Sequence, residues 1–368
     1  MMAAVGTLFL SLLISQAYAT PTYPLELLVS VPKSGATSVT AKATLKNNGD
    51  TILKLFNDPR SILSKITHFG VKSTIFEIVK EPDVTSVPCK PHFKGVSVIF
   101  DPLQALKSTN SLDFTVLKPG QTIEVDYDLK RSYDFAHCGP GSYNIKAFHS
   151  FYHVGDSGAL LQTIKASTHM SQPHVVTTSR PTSTLRKSNS FRKRDLYFKS
   201  CTDDESFQIA DAAILADELV EHAKNELDAL VAKKARSRYQ TWFGHYDQLR
   251  LHIVKQHFLH LPKKATTFTY DCGACRSKFG SAKAWMHAYI QTHPNSHLST
   301  RKLYLCESFW KIPRNTVGSK PGLFINALSR LPENGGTTDY YITPSEIEEL
   351  ALENPEGTVQ NSESHRRL

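Results

Sequence analysis

Several absences narrow the reading of this 368-residue chain. After residue 19 there is no run of eighteen apolar residues, so nothing there reads as a membrane-spanning helix. No Asn-x-Ser/Thr acceptor occurs, and N-glycosylation is not expected. Neither a Gly-x-Ser-x-Gly elbow nor a glycine-rich phosphate loop is present. Acidic side chains are scarce only in the first half: residues 20–194 hold 22 basic and 13 acidic groups, whereas 195–368 hold 21 of each. The formal charge of +9 therefore belongs to the first half. A basic chain suggests nucleic acid or an anionic surface, but the balanced second half offers neither a footprint, and we expect no nucleic acid and no membrane as partner. With 40% hydrophobic residues the chain has enough to build one large or two ordinary cores, which excludes disordered and fibrous classes.

The first nineteen residues carry no charge, an apolar run from about Ala3 to Ile14, and small residues at Ala17 and Ala19 flanking Tyr18. They read as a secretory signal cut after Ala19, which makes the protein extracellular. Six cysteines fit an oxidising compartment: Cys89 and Cys138 in the first half, and Cys201, Cys272, Cys275 and Cys306 in the second. Each half can close its own disulfides.

Residues 20–160 alternate apolar and polar positions in short runs such as Leu25-Glu26-Leu27-Leu28-Val29, separated by turn clusters such as Asn47-Asn48-Gly49-Asp50. That pattern predicts an antiparallel β-sandwich, stapled by Cys89 and Cys138. Residues 161–194 read as a linker that becomes rich in Ser, Thr, Pro and Arg, and it ends in Arg192-Lys193-Arg194. A secretory-pathway processing protease of the kexin type would cut there, between Arg194 and Asp195. Beyond it the period changes to 3.6: Ile209, Ala213, Ala216, Val220, Ala223, Leu227 and Val231 share one helical face, and Thr202-x-x-Glu205 is a capping box. A helix is expected over about 204–234, a second over about 245–260, and a short one from Thr343-Pro344-Ser345-Glu346.

Three segments then become recognisable: Arg238-Tyr239-Gln240-Thr241-Trp242-Phe243-Gly244, Tyr304-Leu305-Cys306-Glu307-Ser308-Phe309-Trp310 and Asn334-Gly335-Gly336-Thr337-Thr338-Asp339-Tyr340. Together they resemble the deuterolysin (aspzincin) family, and within it the fungal peptidyl-Lys metalloendopeptidases. The resemblance covers essentially all of 195–368 and extends to the layout of signal, β-rich propeptide, Lys-Arg junction and Cys-Thr start. It implies an α+β chain with an N-terminal pro-domain and a mainly helical, zincin-like C-terminal domain. It also implies pairing of Cys201 with Cys272 and of Cys275 with Cys306; spacing alone leaves three connectivities open.

A zinc endopeptidase of this family carries His-Glu-x-x-His, whose two histidines share a helix face and bind the metal while the glutamate polarises water, and a downstream aspartate completes the ligands. Here the corresponding segment is Gly322-Leu323-Phe324-Ile325-Asn326-Ala327-Leu328-Ser329-Arg330-Leu331. Asn326 and Arg330 stand at the histidine positions and Ala327 at the glutamate position. Asp339 alone matches a ligand, so we expect no bound cofactor although the family uses zinc. Arg330 places a cation where a dication would bind, and an ion pair with Asp339 is expected instead. The family's tyrosine after the aspartate falls on Ile342. The acidic pair that recognises a substrate lysine maps to Glu363 and Arg366, one acid retained and one reversed in sign. Taken singly, Asp339 after Gly-Gly-Thr reads as a turn residue and Glu363 near a terminus as solvated.

The expected function is therefore that of a secreted, catalytically inactive homologue that binds a peptide or protein, with a pro-domain that associates with the C-terminal domain. The alternative is an active secreted zinc endopeptidase using other ligands, such as His287, His293 or His297. A second alternative is a C2H2-like zinc module built from Cys272, Cys275, His287 and His293. His293 and His297 read as exposed loop residues, and His252, His257 and His260 as surface or boundary positions on the second helix.

Overall fold

The alternation at the start of the chain produces half-buried strands, with Leu25, Leu27 and Val29 inward and Leu28 outward. In the computed structural model the described residues are 24–31, 39–68, 71–73, 75–81, 89–155, 161–170, 174–176, 196–230, 238–292, 302–315 and 318–368. The first half builds a seven-stranded sheet in the order Thr122–Asp128, Thr40–Asn47, Leu25–Ser30, Leu161–Met170, Ser150–Val154, Leu53–Phe56, Phe114–Leu117. A three-stranded sheet of His174–Val176, Gly141–Ala147 and Phe76–Lys80 shares a core with it, where Leu25, Leu45 and Phe151 meet Ile78, Tyr143 and Ile145. The expected antiparallel arrangement needs correction: Leu25–Ser30 and Leu161–Met170 run parallel. More than a hundred residues separate them, so no hairpin dictates their direction.

The strands Leu161–Met170 and His174–Val176 also correct the sequence boundary at 160, because both belong to the sheets of the first half. The Ser and Thr residues of Leu161–Met170 read as loop composition, but threonine is a β-former, and this strand satisfies the backbone of two neighbours. The signal segment, Arg194, Asp195, His293 and His297 lie outside the described residues.

In the second half the capping box of Thr202 and Glu205 starts a helix at Asp203–Asp228, shorter than expected at its C-terminal end. The second helix is Gln248–His260, preceded by a separate short helix Arg238–Phe243, and Thr343 caps Pro344–Glu353 with Glu346 completing the box. Helices predominate in the described part of this half, which also carries the strands Tyr197–Lys199, Thr269–Asp271, Lys302–Leu305 and Met286–Gln291. A fifth strand of that sheet, Val96–Phe100, comes from the first half and pairs antiparallel with Met286–Gln291. The halves also share a buried apolar cluster in which Phe56, Val98 and Phe100 meet Trp285, Met286 and Ile342.

Disulfides join Cys89 to Cys138, Cys201 to Cys272 and Cys275 to Cys306, the last two being the pairs implied by the family resemblance. None crosses residue 194. Among the described residues no helix is long and apolar enough to cross a membrane.

Candidate functional site

Ser319 caps the helix Lys320–Ser329 through the Gly322 amide, and the run Leu323, Phe324, Ile325, Ala327, Leu328 makes it apolar around its circumference, so all ten residues are buried. Asn326 and Arg330 are four apart and therefore project to one side, Arg330 from the C-cap position. Past Pro332–Asn334 the chain reverses at Gly335 (φ 132°) and Gly336 (φ 61°), conformations that favour glycine. A side chain at Gly335 would also strike the ring of His257, 2.9 Å from the ideal Cβ position. This reversal lets Thr337 bond to Ser329 and returns Asp339 to the face carrying Asn326 and Arg330. The C-terminal helix Ser362–Arg367 closes the site, fixed by hydrogen bonds between the main chains of Thr338 and Gln360 (2.8 Å) and of Ser362 and Thr338 (3.1 Å).

Asn326, Arg330, Asp339 and Glu363 are each matched to another group, whereas Arg366 Nε and Arg367 Nε are buried without a hydrogen-bond partner. Asp339 accepts from Arg330 Nη2, from Ser362 Oγ and, at 3.3 Å, from Asn326 Nδ2. Asn326 Nδ2 also donates to Glu363 Oε1 at 2.8 Å, and Asn326 Oδ1 accepts from Arg330 Nε at 2.9 Å. Glu363 receives Arg366 Nη1 at 3.0 Å, with Arg367 Nη2 at 3.9 Å. Glu363 is only 2% exposed, which corrects its reading as a solvated terminal residue: Asn326 and Arg366 together stabilise its charge. Asp339 is likewise 6% exposed and part of a network, more than a turn residue.

Zinc does not fit this donor set. The amide nitrogen of Asn326 and the guanidinium of Arg330 face inward as hydrogen-bond donors, Asp339 is covered by three donors, and Ala327 lies in the apolar core with no polar atom. None of the buried polar atoms left without a partner belongs to Asn326, Asp339 or Glu363. Ile342, which the resemblance aligns with a tyrosine, is buried in the cluster shared by the two halves.

The finger-like motif is not assembled either. Cys272 and Cys275 are both half-cystines and have no thiolate to offer, while His287 bonds to Ser308 Oγ at 2.8 Å. Burial, with a smaller contribution from Arg366, pushes His287 down to about 3. Among the described residues the two groupings with metal-binding spacing, Cys89/His137/Cys138 and Cys201/Glu205/Cys272, both rest on disulfide sulfurs.

His252 and His260 are exposed as expected, but His257 is a correction. It is 9% exposed, with Nδ1 2.9 Å from Nε2 of His365, whose own Nδ1 lies 3.0 Å from the Asn361 carbonyl. A carbonyl only accepts, so His365 carries its proton on Nδ1 and receives the His257 Nδ1–H at Nε2. Burial pushes both rings below the ordinary histidine range, His257 to about 4 and His365 to about 3. Sequence periodicity had no means of pairing residues 108 positions apart. Ser362, whose Oγ donates to Asp339, carries no signal in the sequence although it adjoins Glu363.

Known proteins show where this sequence belongs. The family model described as lysine-specific metallo-endopeptidase matches residues 229–367. A peptidyl-Lys metalloendopeptidase of Grifola frondosa is 30% identical over 357 residues, 96% of this chain and 94% of the relative. The chain belongs to the lysine-specific metallo-endopeptidase family. A peptidyl-Lys metalloendopeptidase of Armillaria mellea is 31% identical over 92% of this chain and 90% of its own length. An extracellular protease of Aeromonas hydrophila is 24% identical over 69% and 70%. A solved structure, a zinc peptidase from Grifola frondosa, is 28% identical, covering 45% of this chain and 94% of that one with a TM-score of 0.38. The described residues form both sheets and helices, and Asn326, Arg330, Asp339 and Glu363 all lie inside the matched region.

Proposed function

We propose that this chain is a catalytically silent, exported member of the metalloendopeptidase family whose rebuilt cleft binds rather than cleaves. The observation that carries this reading is the Arg330 guanidinium on Asp339, with Asn326 and Ala327 beside it. Hydrolysis needs a polarised carbonyl and an activated water, and neither Ala327 nor Ile342 has an atom that could take part. Two carboxylates, Asp339 and Glu363, face three guanidinium groups, those of Arg330, Arg366 and Arg367. The site is already charge-compensated, and a dication would add repulsion. Three disulfides support an oxidising compartment, and with the leading apolar segment they support secretion. The first half would act as a pro-domain, separated by cleavage after Arg194.

Elemental analysis of the folded, secreted protein together with a casein-cleavage assay tests this. We expect a small fraction of one zinc per chain and no cleavage. One zinc per chain with zinc-dependent cleavage would overturn the reading in favour of an active endopeptidase with other ligands.

A further inference from the structure

Arg330 makes one contact that lies outside the site. While Nη2 and Nε hold Asp339 and Asn326, Nη1 donates to the main-chain carbonyl of Val98 at 3.3 Å, a buried bond between residues 232 apart. Val98 is the middle of Val96–Phe100, all five of whose residues are buried. Its backbone follows Met286–Gln291 in antiparallel register, with Val98 opposite Tyr289 and Val96 opposite Gln291. The side chains divide between two cores. Val96, Val98 and Phe100 enter the cluster with Trp285 and Ile342, whereas Ile99 enters the C-terminal core alongside Ile209, Ala213 and Leu303.

Both ends of the strand are tied down. The Asp101 amide donates to the Trp285 carbonyl at 3.1 Å, and Thr292 Oγ1 donates to the Phe93 carbonyl at 3.1 Å. Nearby, buried Asp113 accepts from Trp285 Nε1 at 2.9 Å and pairs with Lys283, and Arg60 Nη1 reaches the Tyr340 carbonyl at 3.1 Å. A cavity of about 710 Å³ adjoins this contact, with Val98, Arg330 and Asp339 on its wall.

We propose that Val96–Phe100 is the resident ligand of the rebuilt site, that Arg330 is the positioning residue gripping it through the Val98 carbonyl, and that the N-terminal half remains bound as a subunit after scission at Arg194. This rests on the metal-free, processed reading given above. An arginine N–H can hold a peptide carbonyl without cleavage because Ala327 offers no base to activate a water, and a carbonyl can be gripped whatever its side chain. Loss of the strand would bare the hydrogen-bonding edge of Met286–Gln291 and leave the Ile99 position in the C-terminal core unfilled. Before scission the tether also keeps the local concentration of this strand far above that of any free peptide. The three disulfides stay within their own halves, so retention would be wholly non-covalent.

The test uses full-length secreted protein, cut at Arg192-Lys193-Arg194 by a kexin-type protease under native conditions. Size-exclusion chromatography with light scattering then gives the mass of the particle, and a denaturing gel verifies the cut. We expect both fragments in one particle of undiminished mass, with Arg330→Met releasing the N-terminal fragment at least tenfold faster and Arg330→Lys falling between. Separation of the wild-type fragments, or release from Arg330→Met at the wild-type rate, would overturn the proposal. Should Arg330→Met not fold, hydrogen exchange on the cut wild type decides: protected amides along 96–100 and 286–291 support the docked strand, and full exchange there refutes it. Zinc is assayed in the same sample. One zinc per chain with the fragments still joined sinks the metal-free reading and leaves the docked strand standing, whereas zinc-free fragments that separate sink the docked strand alone.

Discussion

Arg330→Met is the most informative single change to the site. Methionine keeps the length and most of the apolar stem of arginine but removes every N–H, leaving Asp339 buried with only Ser362 and Asn326 as donors. Breaking a buried ion pair from one side costs about 3–5 kcal/mol, because the remaining charge has lost its partner. The two surviving donors place the expected loss near the lower end, about 3 kcal/mol. The second substitution Asp339→Asn, made in that background, removes the orphaned charge and should restore about 2 kcal/mol. Calorimetry of the wild type, both single variants and the double variant closes the cycle. If the C-terminal half melts as a unit, Arg330→Met lowers its midpoint by about 6–12 °C. A loss below about 1 kcal/mol, or a double variant no better than the sum of the singles, would refute the claim that the pair organises the site.

Acid should destabilise the fold through its buried histidines. The folded values of His257 (about 4) and His365 (about 3) lie below the ordinary 6.5, so the unfolded chain binds protons first. Stability is complete above about pH 6.5 and falls as pH drops towards 4, by up to about 3 kcal/mol per histidine, which urea titrations at stepped pH would measure. His365→Gln should flatten that slope, and an unchanged slope would count against the pair. Reduction of Cys201–Cys272, which spans 71 residues, should cost about 4 kcal/mol by loop entropy, read as a lowered urea midpoint in the Cys201→Ser, Cys272→Ser variant. The triple substitution Asn326→His, Ala327→Glu, Arg330→His should gain about one zinc per chain with Asp339 as third ligand, while Arg330→His alone should gain none, both by elemental analysis.

Local signals carried much of the fold into the sequence. The capping boxes at Thr202 and Thr343 are short-range chemistry, and both helices start where those residues place them. The i, i+4 spacing of Asn326 and Arg330, with a Gly-Gly reversal before Asp339, is enough, given the family pattern, to place the three side chains together. What stayed hidden depends on long-range pairing. The parallel match of Leu25–Ser30 with Leu161–Met170 and the transfer of Val96–Phe100 to the other half leave no mark on periodicity, because an edge strand and a central strand alternate alike. The Val98 carbonyl has no sequence signature at all. His257 was misplaced because a histidine on a helix reads as polar, and only the fold shows that it meets His365 in the core.

Under the metal-free reading proposed above, Asn326, Arg330 and Ile342 differ from what neutral decay of a metal site would leave. Loss of ligands alone predicts unsatisfied buried groups, since a carboxylate in the position of Asp339 is costly without a cation. Here Arg330 supplies that cation, Asn326 supplies an amide whose oxygen and nitrogen bridge Arg330, Asp339 and Glu363, and Ile342 fills a core rather than facing solvent. These substitutions constrain one another. Reverting Arg330 first strips Asp339 of its counter-charge, and reverting Asn326 first sets an imidazole against a guanidinium and withdraws a donor from Glu363. Each single step back towards the metal site therefore meets a barrier that only a simultaneous change removes. Any reversion of Arg330 also gives up the buried bond of its guanidinium to the Val98 carbonyl.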